Sequence, residues 1–489
     1  MWLKAKDKRK PMDHRWGATR ASARRPLGWY VLWLALTALV GAMQYMPLFW
    51  DTVQLAGKHA TFYWSTNFGT WWLPEGLDSG HPPTFGMYLA ACWKLFGRSL
   101  PTSHWAMYPW LLLWAGGVWR TVGHWVAARW QIWIVLLLLV DPVWLGQAVL
   151  VSPDIWVMAG FWWALVGILE NRRAYIVPAT ALLALTSTRG MMAVAALYVI
   201  RVVWDVQAGA KPSPGRWCQL LVPFLPAALS GAAFLWAHYN ATGWIGYHTA
   251  SPWAPSFERV GLAGFLRNGA VLGWRVLDFG RVIPVLILLG AGIGWRNLWH
   301  LPDWQRWSAA LLVLGSFLFP SLLLYKGLSG HRYLLPLLQW LLVGLGFLIT
   351  QLKNSRQKII IYVVCLISLV AGHRWIYPRA ISQQWDATLA HLPYQSLRLK
   401  VFRFLDEREI AYDSVGTAFP EIGPRDWREL TGDRAGLVDH AGLSTPYIWY
   451  SNVMNDFSDA ELRVLDSFPV VARWNSGGVE VVLYQQPAK

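Results

Sequence analysis

The chain has 489 residues, of which 55% are hydrophobic and only 14% charged, and it carries 36 tryptophans. Soluble globular chains carry about 25% charged residues, so this composition excludes one; repeated apolar runs of about twenty residues predict a polytopic helical membrane protein. A formal net charge of +16 can signal nucleic acid, but the basic residues lie between hydrophobic spans, where topology and anionic lipid explain them and no nucleic-acid partner is expected.

Residues 1–26 hold nine Lys and Arg and run into a long apolar stretch without an Ala-x-Ala site. They read as a basic cytoplasmic arm before a retained signal anchor. A first span covers about 27–48 and leaves Asp51 on the other, extracytoplasmic face. The outer loop that follows, about 49–103, contains Lys58, Asp78 and the run Gly80-His81-Pro82-Pro83. Segment 81–97 is apolar but short, and is expected to lie in the interface, because a true span there would turn the later basic clusters outward.

Further spans are expected at roughly 104–126, 130–150, 155–170, 174–187, 190–204, 217–238, 281–298, 306–326, 332–351 and 358–374, about eleven in all. The cytoplasmic turns then carry Arg120 and Arg129, Arg172 and Arg173, Arg201, Lys211 and Arg216, Arg296 and Arg306, and Lys353, Arg356 and Lys358, in keeping with the positive-inside rule. Domain 27–374 is thus the membrane unit. A second outer loop, about 239–280, bears Trp244, Tyr247, His248, Pro252, Trp253 and Pro255.

The odd number of spans places residues 375–489 outside. This tail holds 11 Lys and Arg against 15 Asp and Glu, a net of −4, whereas the residues before it hold 32 against 12. It shows a helical stretch at 396–408, strand-like IAYDSV and YIWYSN, a helix capped by Ser458 and a hairpin turning at 475–478. The expected fold class is therefore an all-α polytopic membrane protein with a small C-terminal α/β extracytoplasmic domain, whose role is to cover a cavity or position an acceptor. The three cysteines, Cys92, Cys218 and Cys365, lie in apolar segments and form no metal knuckle or disulfide framework.

Three outer-face features carry the chemistry: Asp51, the Ser152-Pro153-Asp154 string, and the run from Lys326 to Tyr333 that includes Arg332. A carboxylate at the bilayer surface is costly and marks function. An arginine grips phosphate oxygens with a two-pronged fork, and a carboxylate can take a proton from a hydroxyl. Together they suit a phosphorylated lipid donor. Arg189, between two short spans, faces the same side. Asp141, in LLLLVDPVWL, is expected inside a span, where an acid is a functional candidate; the proline after it suggests instead a broken helix that it caps.

The order of an Asp after the first helix, His-Pro-Pro opening an apolar segment, Pro-Asp in the next outer loop and Arg-Tyr-Leu-Leu-Pro late in the chain resembles the GT-C class of membrane glycosyltransferases. It is most similar to the protein O-mannosyltransferase and aminoarabinose-transferase type, the glycosyltransferase family 39-like enzymes, over about residues 27–350. Many relatives carry Asp-Glu where this chain has Asp51-Thr52. The resemblance implies a polyprenyl-phosphate sugar donor, a lipid, glycan or protein acceptor, and inversion at the anomeric carbon. It implies Asp51 as catalytic base with Asp154 as second acid. Asp78, His81, Arg332 and Tyr333 would bind substrate, with Lys326, Arg189 or Lys58 as further cations for the leaving phosphate. No cofactor is expected; a divalent metal gathered by Asp51, Asp78, Asp154, His81 and His248 is the less simple arrangement. The competing functions are a transporter or flippase of a lipid-linked glycan, and a non-catalytic assembly subunit.

Overall fold

Apolar runs fold into helices because a helix satisfies its own backbone where water is absent. The computed structural model describes residues 27–487 except 250, 252, 253, 380, 382 and 455. The basic arm, and Pro252 and Trp253 of the second outer loop, lie outside the described residues. Five helices are long and apolar enough to cross a membrane: Thr188–Gln207, Pro214–Thr242, Pro302–Leu324, His331–Gln351 and Ser355–Gly372. Two bent pairs can each form one more span: Ala128–Leu139 with Pro142–Ala148, bent by 71°, and Leu262–Leu277 with Val282–Gly294, bent by 99°. Leu27–Met43, Asp154–Leu169 and Arg173–Thr186 are apolar but shorter. Length and composition thus give five to seven spans among the described residues. Large apolar side chains such as Trp236, Ile293 and Leu312 remain exposed on these helices, a surface suited to lipid. The chain is an integral membrane protein.

Each bend has an acid at its break. Asp141 caps the second arm of its pair, its Oδ1 accepting from the Trp144 N–H at 3.0 Å. Asp278 accepts from the Phe279 N–H at 2.7 Å. Arg281 joins the two breaks, reaching Asp141 Oδ2 at 3.2 Å with both side chains buried. The helix Leu262–Leu277 lies inside the stretch that the sequence reads as an outer loop, a difference explained by its one-sided apolar pattern, too polar overall to stand out as a span. Segment 81–97 contains the helix Thr84–Phe96 of 13 residues, about 20 Å long at 1.5 Å per residue and shorter than a bilayer core.

The tail builds one six-stranded sheet. Its strands are β1 (Val415–Thr417), β2 (Gly423–Pro424), β3 (Gly436–Asp439), β4 (Tyr447–Ser451), β5 (Val470–Ser476) and β6 (Val479–Gln485), in the order β2-β3-β1-β4-β6-β5. β1 runs parallel to β3 and β4, and the other pairs are antiparallel. The β5–β6 hairpin turns on Gly477 and Gly478, with φ of 56° and 84°, the left-handed pair that a two-residue turn demands. Ser458 makes a full capping box with Glu461. The expected helix appears as Leu392–Glu407; within IAYDSV, Tyr412–Ser414 form a tight turn and only Val415 enters β1.

The apolar core of this unit does not stop at the tail. It takes in Met46, Phe49 and Trp50 from the first loop and Val149 and Leu150 from the membrane unit. Phe49 stacks on His391 with ring centroids 4.6 Å apart, and Trp50 meets Phe419 edge-on at 5.4 Å.

Candidate active site

Asp51 stands where the chain turns out of its first helix. Trp50 before it has φ 56°, a left-handed conformation that bulky residues rarely adopt and that tends to accompany function. Thr52 fixes the turn: its hydroxyl donates to the Phe49 carbonyl at 2.7 Å and accepts the Phe49 N–H at 3.0 Å. A wide π-turn, Val53–Lys58, follows, another irregularity common at functional sites. The strain is held by the aromatic packing of Phe49 and Trp50 against the tail.

Arg332 sits in the tight turn His331–Leu334 that opens the next helix, and its side chain is 6% exposed. Its guanidinium serves three carboxylates. Nη2 donates to Asp51, Nη1 lies 3.4 Å from Asp154 Oδ2 and Nε lies 3.3 Å from Asp386 Oδ2. Asp154, in the first turn of its helix, is also held by Arg189 Nη1 at 2.9 Å. Arg189 stacks over the Tyr333 ring at 4.3 Å and Arg332 at 5.1 Å, so Tyr333 wedges the two cations apart by its π face. Ser152 hydroxyl donates to Gln147 at 2.5 Å, and Gln147 in turn donates to the Asp386 carbonyl at 2.9 Å and its carboxylate at 3.2 Å. Gly146 allows this approach: a Cβ there would meet the Asp386 carbonyl oxygen at 2.7 Å.

Exposure separates the three acids. Asp154 and Asp386 are each 3% exposed, Asp51 is 24% exposed. Asp154 is neutralised by two guanidiniums. Burial pushes the Asp386 carboxyl up to about 6, against the pull of Arg332 and with the push of Asp51 and Asp154. Asp51 is the most solvent-accessible of the three.

The structure therefore brings together five of the sequence candidates: Asp51, Asp154, Arg189, Arg332 and Tyr333. His81 lies at the rim. It lines a small cleft with Asp154, Arg189, Ser79 and Phe85, and its Nδ1 is 3.5 Å from the Thr188 hydroxyl. Burial and the nearby Arg189 lower it to about 3, so it works as a neutral ring. Pro82 lines both this cleft and an apolar cavity of ≈ 420 Å³ walled by Trp71, Trp72, Leu185 and Phe234.

The other three candidates stand elsewhere. Asp78 accepts the Gly80 N–H at 2.8 Å and pairs with His238 at 2.9 Å; it ties the first loop to the second, where Gly80 packs on the Gly246 carbonyl. Lys326 pairs with Glu258 at 3.1 Å on an exposed surface. Lys58 lies over the Trp427 ring at 4.1 Å, a contact with the tail. Asp386 and Gln147 went unread in the sequence. Asp386 is one of the tail's 15 acids, and only its contact with Arg332 distinguishes it. Among the described residues no cluster of three His, Cys, Asp or Glu is arranged to hold a metal ion.

Neither a protein-family model nor a curated protein matches the chain. Solved structures do. The crystal structure of ArnT from Cupriavidus metallidurans bound to undecaprenyl phosphate covers 94% of this chain and 98% of its own, with a TM-score of 0.53 at 14% identity. The fold is that of ArnT. The apo ArnT structure agrees, with a TM-score of 0.50 at 13% identity over 93% of this chain. ArnT is an aminoarabinose transferase of the GT-C fold, so the resemblance drawn from four short motifs holds across nearly the whole chain at the level of fold. The likeness takes in the tail as well as the membrane unit, since 94% coverage leaves no room to omit residues 375–489.

Proposed function

We propose that the protein is an inverting membrane glycosyltransferase that moves a sugar from a polyprenyl-phosphate donor to an acceptor hydroxyl on a lipid, glycan or protein. The carrying observation is the Arg332 fork shared by Asp51, Asp154 and Asp386 next to an apolar cavity that shares Pro82 with the polar cleft. A phosphate and a prenyl chain are the two halves of one ligand that needs both. The ArnT structure holding undecaprenyl phosphate supports this donor class.

Carboxylate and phosphate compete for the same guanidinium prongs. Donor phosphate entering at Arg332, with Arg189 and Tyr333 alongside, displaces Asp51 and leaves it free as base. The acceptor hydroxyl attacks the anomeric carbon as Asp51 takes its proton. The bond from that carbon to the phosphate oxygen breaks on the opposite side, and the lipid phosphate leaves with the electron pair, its charge met by Arg332 and Arg189. Asp154 keeps both arginines aimed, and no metal or other cofactor enters these steps. The eleven-span topology, with the amino terminus cytoplasmic and residues 375–489 on the outer face of a bacterial inner membrane, belongs to this reading.

The test is sugar transfer by purified protein from defined polyprenyl-phosphate donors. Asp51→Asn should lower turnover about 10²–10⁴-fold, the span of a lost general base, with donor binding kept. Arg332→Ala should weaken donor use more than Arg332→Lys, since a point charge partly replaces the fork. Near-normal transfer by Asp51→Asn would remove it as base. Movement of an intact lipid-linked glycan without transfer would point to a flippase.

A further inference from the structure

One short helix of the tail, Asp426–Glu429, touches the first loop on both sides of Asp51. The Arg428 carbonyl accepts the Leu48 N–H at 3.0 Å, just before Asp51. On the other side, Gly57 in the wide turn after Asp51 lies against the Trp427 carbonyl. A Cβ at Gly57 would stand 2.3 Å from that oxygen and 2.9 Å from Leu48 Cδ1, so only glycine lets the two backbones approach this closely. Asp426 adds a third tie through Arg98, whose Nη2 also donates to the Thr61 hydroxyl at 3.0 Å. Thr61 belongs to the helix His59–Ser65, which continues the wide turn.

Four residues are too few to hold a helix by themselves. Arg428 anchors this one. Its buried side chain donates to the Pro420 carbonyl through Nη1, and its Nη2 lies 2.8 Å from Glu421 Oε2. Glu421, also buried, is gripped by Arg398 Nε at 2.9 Å, and Arg398 pairs with Glu429 as well. Arg398 comes from the helix Leu392–Glu407, so the cluster ties the short helix to the body of the tail. An ion cluster this buried is costly to desolvate, and apolar side chains of like volume are often as stable. What the cluster supplies is direction, because its hydrogen bonds weaken steeply when their angles change.

We propose that Arg428 is a positioning residue for Asp51: it fixes the helix Asp426–Glu429, and that helix seats the Asp51 turn through Leu48 and Gly57. Arg428 acts through the backbone and not on the reacting atoms. The inference rests on Asp51 as the base of the proposed transfer, where a misplacement of about 1 Å can cost about a hundredfold in rate.

Transfer kinetics of the full-length protein test it with Arg428→Met, Arg428→Lys and Gly57→Ala. Gly57→Ala leaves the ion cluster untouched and forces the turn off the Trp427 carbonyl, so it decides the matter even where Arg428→Met fails to fold. Arg428→Met and Gly57→Ala should each lower kcat about ten- to hundredfold with little change in the donor KM, and Arg428→Lys should recover part of the loss. In an Asp51→Asn background neither should cost anything further, because effects that run through one residue do not add. Full kcat in Gly57→Ala, or an undiminished further loss in the Asp51→Asn background, would overturn the proposal. A wild-type chain without transfer would overturn the glycosyltransferase reading, and the seating is then read by labelling. Asp51→Cys, above the background of Cys92, Cys218 and Cys365, should react several-fold faster with a water-soluble maleimide once Gly57→Ala is added. An unchanged rate would overturn the seating as well.

Discussion

At the residue scale, one arginine shared by three acids is the feature to explain. Each carboxylate holds Arg332 in place, and in the proposed reaction Asp51 yields to the donor phosphate while Asp154 keeps its hold. Burial raises the Asp386 carboxyl from 3.8 to about 6. A native carboxyl that keeps its proton to a higher pH than the unfolded chain weakens the fold as pH rises between those values, roughly from 4 to 6. The same proton loosens its hold on Arg332. Affinity for a polyprenyl-phosphate sugar, a phosphodiester with no titration of its own near neutrality, should therefore rise as pH falls through about 6. Asp386→Asn should bind donor more tightly at pH 7.5 and lose the pH step. Binding measured from pH 5 to 8 decides this; a weaker, still pH-dependent variant would make Asp386 a support for Arg332 and nothing more.

At the element scale, irregular backbone does the positioning. The left-handed Trp50 and the π-turn after it aim Asp51, and beside them Phe49 packs on His391 and Trp50 on Phe419. Phe49→Ala should cost about 3–5 kcal/mol of that packing and cut turnover at least tenfold with little change in donor affinity, while Phe49→Leu recovers part of both. Calorimetry beside kinetics checks it: lowered stability with full turnover would show that Asp51 is held by other means. The broken spans act likewise on Arg332. Asp278, at one break, accepts from His331 at 2.8 Å and from the Tyr377 hydroxyl, anchoring the turn that carries Arg332.

At the scale of the whole molecule, the tail is a wall of the site and not an appendage. Arg98 binds Asp426 through two bonds of 2.7 and 2.6 Å, Lys58 rests on Trp427, and Asp386 enters the cluster itself. The sequence suggests that losing residues 375–489 should harm acceptor use more than donor binding. With Asp386 and the cover over Phe49, Trp50, Val149 and Leu150 removed together, we expect a chain ending at 374 to lose donor binding as well as transfer. Retained donor binding by the truncated protein would restore the separable reading. Protease added to the outer face of sealed, correctly oriented vesicles should cut the tail; cleavage in inverted vesicles alone would reverse the topology.

The sequence by itself determined the membrane class, because twenty-residue apolar runs and scarce charge admit no other solvent. It determined the tail's hairpin and capped helix, because Gly477-Gly478 and Ser458 with Glu461 are local signals that act within a few residues. It also singled out Asp51, Asp154, Arg189, Arg332 and Tyr333, since charges at span ends are rare enough to be noticed, and Asp141 as a cap at a break. Tertiary structure decided which of those charges meet. Lys58, Lys326 and Asp78 carry the same kind of local signal, yet each is satisfied by Trp427, Glu258 or His238 away from Arg332. Asp386 carries no such signal, and its role comes from a contact between residues 54 positions apart in the chain, Arg332 and Asp386. A carboxylate's partner is set by Coulomb attraction over a few ångströms and by burial, and both depend on how helices far apart in sequence are packed.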